Sequence, residues 1–364
     1  MTRDAQAIWF NDKVRRAGFA DVQAFAEHYG LKKYRLQQIY RAATKELLAD
    51  TADVTTLPKD LRASLEDAGF SFSSIEPVVV QRSNDKQTSK GLFRLADGNE
   101  VEAVLMEHYG DRNTVCISSQ AGCAFACAFC STGQAGFTRQ LEATEIFDQA
   151  RFFARELAAK GKRITNIVFM GMGEPFHNYD SVLNAVALLN DPQGFGLGHR
   201  HITISTVGLV DKIDQFSEEH LQVNLAISLH APGNGVRSAI MPVNRRFDID
   251  ELLAACERYI AATNRKVFFE YVMLAGVNDQ EEHARELASR MKGHLYHVNL
   301  IPYNTTPDGP FAGSDQDQIW KFAAILDEAG IPTTVRANMG RDITAACGQL
   351  RVETQPKAHA ATRA

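Results

Sequence analysis

Residues 118–133 read SSQAGCAFACAFCSTG, and within them Cys123, Cys127 and Cys130 fall at C-x3-C-x2-C spacing. Thiolates favour zinc and iron–sulfur clusters, and the number and spacing of the ligands separate the two. Structural zinc takes four protein ligands, often as two spaced pairs, and no second C-x-x-C lies near this run. Three cysteines in one loop can instead hold three irons of a four-iron, four-sulfur cube and leave the fourth iron open to another ligand. An open cluster fits the run better than zinc or unligated core cysteines.

From about residue 112 onward, strand and helix patterns alternate. The apolar runs NTVCISS, ITNIVFMG, HITISTVG, QVNLAISLH, KVFFEYVML, LYHVNLIPYN and TTVRA are separated mostly by helical stretches such as EIFDQARFFARELAAK, DELLAACERYI and HARELASRM. Such alternation builds a parallel sheet, and right-handed crossovers curl it toward a barrel. Barrels of this kind place their chemistry at the C-terminal ends of the strands. The unusual polar clusters fall there: the cysteine loop, Gly171-Met172-Gly173-Glu174, Ser205-Thr206, Ser228-Leu229-His230 and Tyr303-Asn304.

Residues 1–70 read as a small helical accessory domain, from the apolar periodicity of DVQAFAEHYG, YRLQQIYRAATKELL and LRASLEDAGF. Its Lys32-Lys33-Tyr34-Arg35 stretch, continuing to Tyr40-Arg41, suits RNA phosphates and a plain solvated face about equally. Residues 71–111 hold SIEPVVVQRS, GLFRLADG and VEAVLME, strands of a β connector with Asp97-Gly98 as a hairpin turn. Residues 112–350 form the expected α/β unit, a partial parallel (β/α) barrel, and the polar, Ala-rich 351–364 reads as a tail.

A chain of 364 residues, 45% hydrophobic and 23% charged, has enough apolar material for a substantial core plus one appended domain. No apolar run is long enough to cross a membrane, and the polar start MTRDAQAIWFNDK lacks a signal peptide's apolar stretch, so a cytoplasmic protein is expected. Six cysteines, three of them clustered, do not make a secreted disulfide framework, and a cluster of this kind needs a reducing compartment. The net charge of -5 gives no global sign of nucleic-acid binding and does not exclude it.

With aromatic Phe129 just before its last cysteine, the run resembles the radical S-adenosylmethionine (SAM) superfamily. GMGEP at 171–175, SLHAP at 228–232, VNLIPYN at 298–304 and AACGQL at 345–350 resemble, in order and placement, the RlmN/Cfr family of radical SAM RNA methyltransferases. The likeness runs over roughly residues 33–350. It implies one 4Fe-4S cluster on Cys123, Cys127 and Cys130. It implies SAM contacts at Gly173, Glu174, Ser205, Ser228, Leu229, His230 and Asn304. Glu102 matches the family's proton acceptor, Cys347 its S-methylcysteine intermediate, and Cys116 its resolving thiol, which forms a transient disulfide with Cys347. Cys256, within ELLAACERYI, matches no family site and reads as core.

The chemistry implied by the resemblance suits an electron-poor ring carbon of adenosine, where transfer of an electrophilic methyl fails. One SAM methylates Cys347. A radical from a second SAM removes hydrogen from that methyl group, and the resulting carbon radical adds to adenine. A base then removes the ring proton, and a thiol releases the product. The implied partners are 23S ribosomal RNA, transfer RNA as a second substrate, and an electron donor such as flavodoxin or ferredoxin, with the enzyme a monomer and no membrane involved. Members of the family methylate carbon 2, or carbon 8 in the antibiotic-resistance branch. GMGEPF looks like the carbon-2 group, whereas STVG at 205–208, LYHVNLI and the step from Glu102 to Cys116 lean toward carbon 8. Carbon 2 is expected because such members are commoner. A radical SAM activase or maturase for a protein substrate would need neither Cys347 nor Glu102; a zinc-held RNA-binding module is the non-enzymatic alternative.

Overall fold

The computed structural model describes residues 3–305, 309–345 and 348–350; the tail expected over 351–364 lies outside them. Helices α1 (Ala5–Arg16), α2 (Val22–His28), α3 (Lys33–Thr44) and α4 (Lys59–Asp67) come first. The opening segment, polar on average, folds as α1 because Trp9, Phe10, Lys13 and Val14 share one buried face. Asp4 caps it, its Oδ1 accepting from the Ala7 N–H at 3.1 Å. Lys13 is drawn into the core, where its Nζ donates to Asp148 Oδ2 and Ser74 Oγ, each at 2.7 Å. Burial brings its pKa down to about 8.

Strands β1 (Ile75–Arg82), β2 (Thr88–Leu95) and β3 (Glu100–Glu107) form an antiparallel meander. It turns at Asp97-Gly98, where Gly98 takes a φ of +84°. Next, β3 pairs antiparallel with β4 (Asn113–Cys116), so the connector strands form one edge of the barrel sheet. A small separate hairpin, β5 (Gln120–Gly122) and β6 (Phe137–Gln140), brackets the cysteine loop and has no strand-like signature in the sequence. The parallel series continues with β7 (Asn166–Phe169), β8 (Ile202–Thr206), β9 (Asn224–Ser228), β10 (Val267–Met273), β11 (Tyr296–Pro302) and β12 (Thr333–Val335). The result is a 10-stranded sheet in the order β1-β2-β3-β4-β7-β8-β9-β10-β11-β12. Cys116, Val168, Thr203, Asn224, Glu270, Asn299 and Thr334, from seven successive strands, line one interior cavity, so the sheet curls as a partial barrel should.

Helices α5 (Ser131–Gln134), α6 (Ala143–Ala158), α7 (Tyr179–Asn190), α8 (Val210–Glu218), α9 (Asn234–Ile240), α10 (Ile249–Thr263), α11 (Glu281–Met291) and α12 (Gln316–Glu328) supply the crossovers and the loop after the cysteines. The N-terminal helices pack on two of them: Asp148, which holds Lys13, is on α6, and Tyr40 donates to Asp191 Oδ2, at the end of α7, at 2.6 Å. Tyr40 of the basic, aromatic stretch is thus a core residue, which leaves Lys32, Lys33 and Tyr34 exposed. Cys256, on α10, is fully buried. Among the described residues no helix is long and apolar enough to cross a membrane.

Candidate active site

The chain leaves β4, passes β5 and turns through the cysteines before α5. Several backbone bonds fix this loop. Cys123 N–H donates to Gly136 O at 2.8 Å, Ala128 N–H to Ile240 O at 2.9 Å, and Ser131 N–H to Gly348 O at 2.9 Å. Ala126 sits at a φ of +48°, unusual for a residue with a side chain, and the turn it makes separates Cys123 from Cys127. Cys127 is buried while Cys123 and Cys130 are half-buried. All three line one pocket with Gly173, Glu174, Ser205, Ser228 and His230. The pocket's cavity volume is about 140 Å³.

The donor set fits a cationic cluster. Burial pushes the Cys123 thiol up to about 12, with the Glu174 and Cys130 charges adding to it. It pushes Cys127 well above the ordinary thiol range, with Cys130 and Cys123 reinforcing the effect. Gathered thiols of this kind become thiolates when a metal supplies the missing positive charge. The three cysteines stand around one shared pocket, as ligands to different irons of one body would.

The ends of β7, β8 and β9 complete the wall. Glu174 is almost fully buried, and its oxygens accept from Phe176 N–H at 2.9 Å and Val207 N–H at 2.8 Å. Burial outweighs these bonds and the Thr206 hydroxyl, and raises its pKa to about 7. Gly173 lies before it at a φ of +99°, where a Cβ would come within 2.5 Å of Gln120 Cβ, so the close approach it permits is to β5. Ser205 and Ser228, at the ends of the neighbouring strands β8 and β9, line the pocket side by side with hydroxyls 3.5 Å apart. His230 Nδ1 accepts from Val272 N–H at 3.0 Å, which puts the ring proton on Nε2. Burial, then the Arg237 charge, brings its pKa down to about 3, so it stays neutral. Its ring meets Phe129 edge-on at 4.7 Å.

Two expected SAM contacts stand differently. Leu229 is fully buried, off the pocket wall, with its N–H donating to Glu270 O at 3.1 Å. Asn304 Oδ1 accepts from Arg341 Nε at 2.9 Å, turning that side chain to the C-terminal segment, while Tyr303 beside it lines the pocket. Residues that sequence reasoning missed frame the site. Gln120 Oε1 accepts from Glu174 N–H at 2.7 Å. Fully buried Arg237 donates to the carbonyls of Val207 at 2.7 Å and Leu229 at 3.2 Å, tying the β8 and β9 loops together. Asn278 Nδ2 donates to His230 O at 2.8 Å. A polar residue in an apolar run is the sole trace such buried anchors leave in sequence, and for Arg237, in GNGVRSAI, it is faint.

A second cavity abuts the first: Phe129, Cys130 and Tyr303 line both. Its far wall holds Glu102 and Lys90, and Asp342, Thr344 and Gln349 of the C-terminal segment close it. Glu102 is buried, with its Oε1 3.0 Å from Lys90 Nζ. Cys116 is buried on β4 and lines the barrel interior with Ala345 and Leu350. Those two residues flank Cys347, which itself lies outside the described residues.

Residues 117–288 match the model of the radical SAM superfamily. The chain is 45% identical over 331 residues to the probable dual-specificity RNA methyltransferase RlmN of Dictyoglomus thermophilum, covering 91% of this chain and 94% of that one. It is 46% identical over 342 residues to the protein of the same name from Chloroflexus aurantiacus, covering 91% and 90%. Among solved structures it is similar to a radical SAM methyltransferase from Sphaerobacter thermophilus, with 47% identity, a TM-score of 0.87, and 91% and 97% of the two chains covered.

Proposed function

This chain belongs to the RlmN family of radical SAM RNA methyltransferases, enzymes that use a 4Fe-4S cluster and SAM, and on that premise we propose that it methylates carbon 2 of an adenosine in 23S ribosomal RNA, with transfer RNA as a second substrate. The observation that carries this reading is the pair of abutting cavities: one lined by three thiols and polar strand ends, the other lined by Glu102 and sharing Phe129, Cys130 and Tyr303 with it. A cofactor pocket and a base pocket must touch if a carbon is to pass between them. The words "dual-specificity" in the relatives' names support two RNA substrates.

When bound, the cluster and SAM supply a methyl group for a thiol and a carbon-centred radical that removes hydrogen. Cys123, Cys127 and Cys130 hold the cluster. Glu174 keeps a lone pair beyond those that Phe176, Val207 and the Thr206 hydroxyl occupy, and it accepts the SAM ammonium. Such a cation relieves the cost of a charge buried there. Ser205 and Ser228 offer hydroxyls, and neutral His230 offers its Nε2–H. Leu229, whose N–H is taken by Glu270 O, contributes through the second lone pair of its carbonyl beside Arg237, and Asn304 after exchanging its partner Arg341. Cys347 carries the methyl carbon to the base, and Glu102 takes the ring proton. The Cys116 thiolate then attacks the Cys347 sulfur: the S–S bond forms as the S–C bond breaks, and the released pair goes to the methylene carbon, which takes a proton to become the methyl. The same reading takes a flavodoxin or ferredoxin as reductant and a monomer working in the cytoplasm.

The test is the product. Reconstituted enzyme, SAM and a reductant are incubated with protein-free ribosomal RNA, which is digested to nucleosides and compared with both carbon-methylated adenosine standards by mass and retention. Expected is 2-methyladenosine. A product that is only 8-methyladenosine overturns the position and keeps the family.

A further inference from the structure

Lys90 has no place in the chemistry described so far, yet its ammonium sits against the group assigned to take the proton. It lies on β2 diagonally across from Glu102: Lys90 pairs with Val104 and Leu92 with Glu102, which puts both side chains on one face of the meander. The two charges are 3.0 Å apart with side chains 11% and 6% exposed, at the wall of the second cavity. Among the described residues, the other charged side chains lining this cavity are engaged elsewhere. Arg82 meets Glu156 at 3.4 Å, and Asp342 Oδ2 accepts from Asn84 N–H at 2.7 Å. Lys90 Nζ also lies 3.4 Å from the carbonyl of Thr344, three residues before Cys347.

A nearly buried ion pair is a poor device for stability alone, because an apolar pair of similar volume often serves as well or better. It is a good device for keeping an acid ionised and aimed in a site that a substrate will dry out. We propose that Lys90 is a positioning residue: it holds the Glu102 carboxylate charged and oriented, and sets it in register with the segment that carries Cys347. This rests on the reading of Glu102 as the proton acceptor. In that step the ring proton passes to a Glu102 oxygen, the electron pair of the broken C–H bond returns to the purine, the adduct's one unpaired electron leaves to a one-electron carrier of the flavodoxin or ferredoxin class, and Glu102 becomes a neutral acid.

The experiment compares Lys90→Met, Lys90→Arg and Glu102→Gln with the parent enzyme, each reconstituted with its cluster. Four quantities are read: thermal unfolding midpoint, iron content, methylation of Cys347 by peptide mass spectrometry, and methyladenosine formed in protein-free ribosomal RNA. Lys90→Met should keep the first three and lose about a hundredfold in methyladenosine, within the span of general-base effects. Lys90→Arg should recover most of that loss. The proposal is overturned if Lys90→Met forms product at the parent rate, if its product loss merely follows lost iron or lost Cys347 methylation, or if Lys90→Arg is no better than Lys90→Met. Parent-like product from Glu102→Gln would remove the base reading itself, and the proposal with it. Loss in Glu102→Gln with none in Lys90→Met would remove the proposal alone.

Discussion

The cysteine pocket and the Glu102 cavity share a wall but are built by opposite means. The first is framed by strand ends whose polar groups are buried and individually anchored: Glu174 by Phe176 and Val207, His230 by Val272, the β8 and β9 loops by Arg237. The second is closed by chain segments far apart in sequence, the β1–β2 hairpin and Asp342, Ile343, Thr344 and Gln349, joined by exposed bonds such as Asn84 to Asp342 and Lys90 to Thr344. The far end of the same segment is anchored beside the cysteine loop, where Thr132 Oγ1 donates to Leu350 O at 2.6 Å. A cofactor needs fixed geometry between turnovers, which over-determined strand ends provide. A polymeric substrate must enter and leave, which a lightly held closing segment permits. The difference teaches where each loss of function should appear.

The sharpest break is Cys127→Ala. If the first pocket is framed by its strands rather than by the cluster, this variant should lose iron and all cleavage of SAM while its unfolding midpoint stays within a few degrees of that of iron-free parent protein. Iron analysis, deoxyadenosine release and calorimetry on the same preparation check it. A large fall in the midpoint would mean that the buried thiol, 7% exposed, holds the frame together.

The same contrast explains what could be read from the chain alone. The cysteine loop, GMGE and SLH were legible because each is contiguous and follows an apolar strand run, so their convergence follows from barrel geometry. The β strands of the connector were legible too, by alternation, but not their pairing with β4, which depends on which sheet edge is free. The second cavity was not legible: Lys90 and Glu102 meet through hairpin register, and Thr344 reaches them from across the chain. Trp9 and Tyr40 were hidden for a related reason, since a short helix with few apolar residues declares its buried face only once something packs on it.

A second effect is a pH signature confined to the first pocket. In iron-free protein, Glu174 has a pKa of about 7 against an ordinary 4.5. Between those values the folded state binds more protons than the unfolded chain, so the stability Glu174 contributes is present below pH 4.5 and lost as pH rises through 7. The swing is at most roughly 3 kcal/mol at about 1.4 kcal/mol per pKa unit. His230, brought down to about 3 from 6.5, acts in the opposite sense and costs stability as pH falls below 6.5. Urea unfolding of the parent and of Glu174→Gln across pH 4.5–8 separates them: the difference between the two curves should fall with rising pH, and the His230 contribution cancels in it. A flat difference would mean that water or a cation already solvates Glu174.

The smallest effect should fall on the closing segment. Asp342 is exposed, and its bond to the Asn84 N–H, 2.7 Å long, joins the C-terminal segment to the β1–β2 hairpin. A single exposed hydrogen bond is worth about 1 kcal/mol, and losing it would lower the closed population about fivefold. Asp342→Ala should therefore slow methyladenosine formation about fivefold, because closure is what brings Cys347 and Glu102 to one base. Iron content and the unfolding midpoint should not move, because among the described residues no bond to Asp342 reaches a cysteine ligand or Glu174. Raising the RNA concentration should not restore the rate if the defect lies in closure after binding, so the loss belongs in kcat rather than KM. A matching loss of iron would show that the C-terminal segment also supports the cluster loop, where Ser131 N–H donates to Gly348 O at 2.9 Å. The two cavities would then be one cooperative unit, and the contrast between fixed frame and movable closure would fail at that bond.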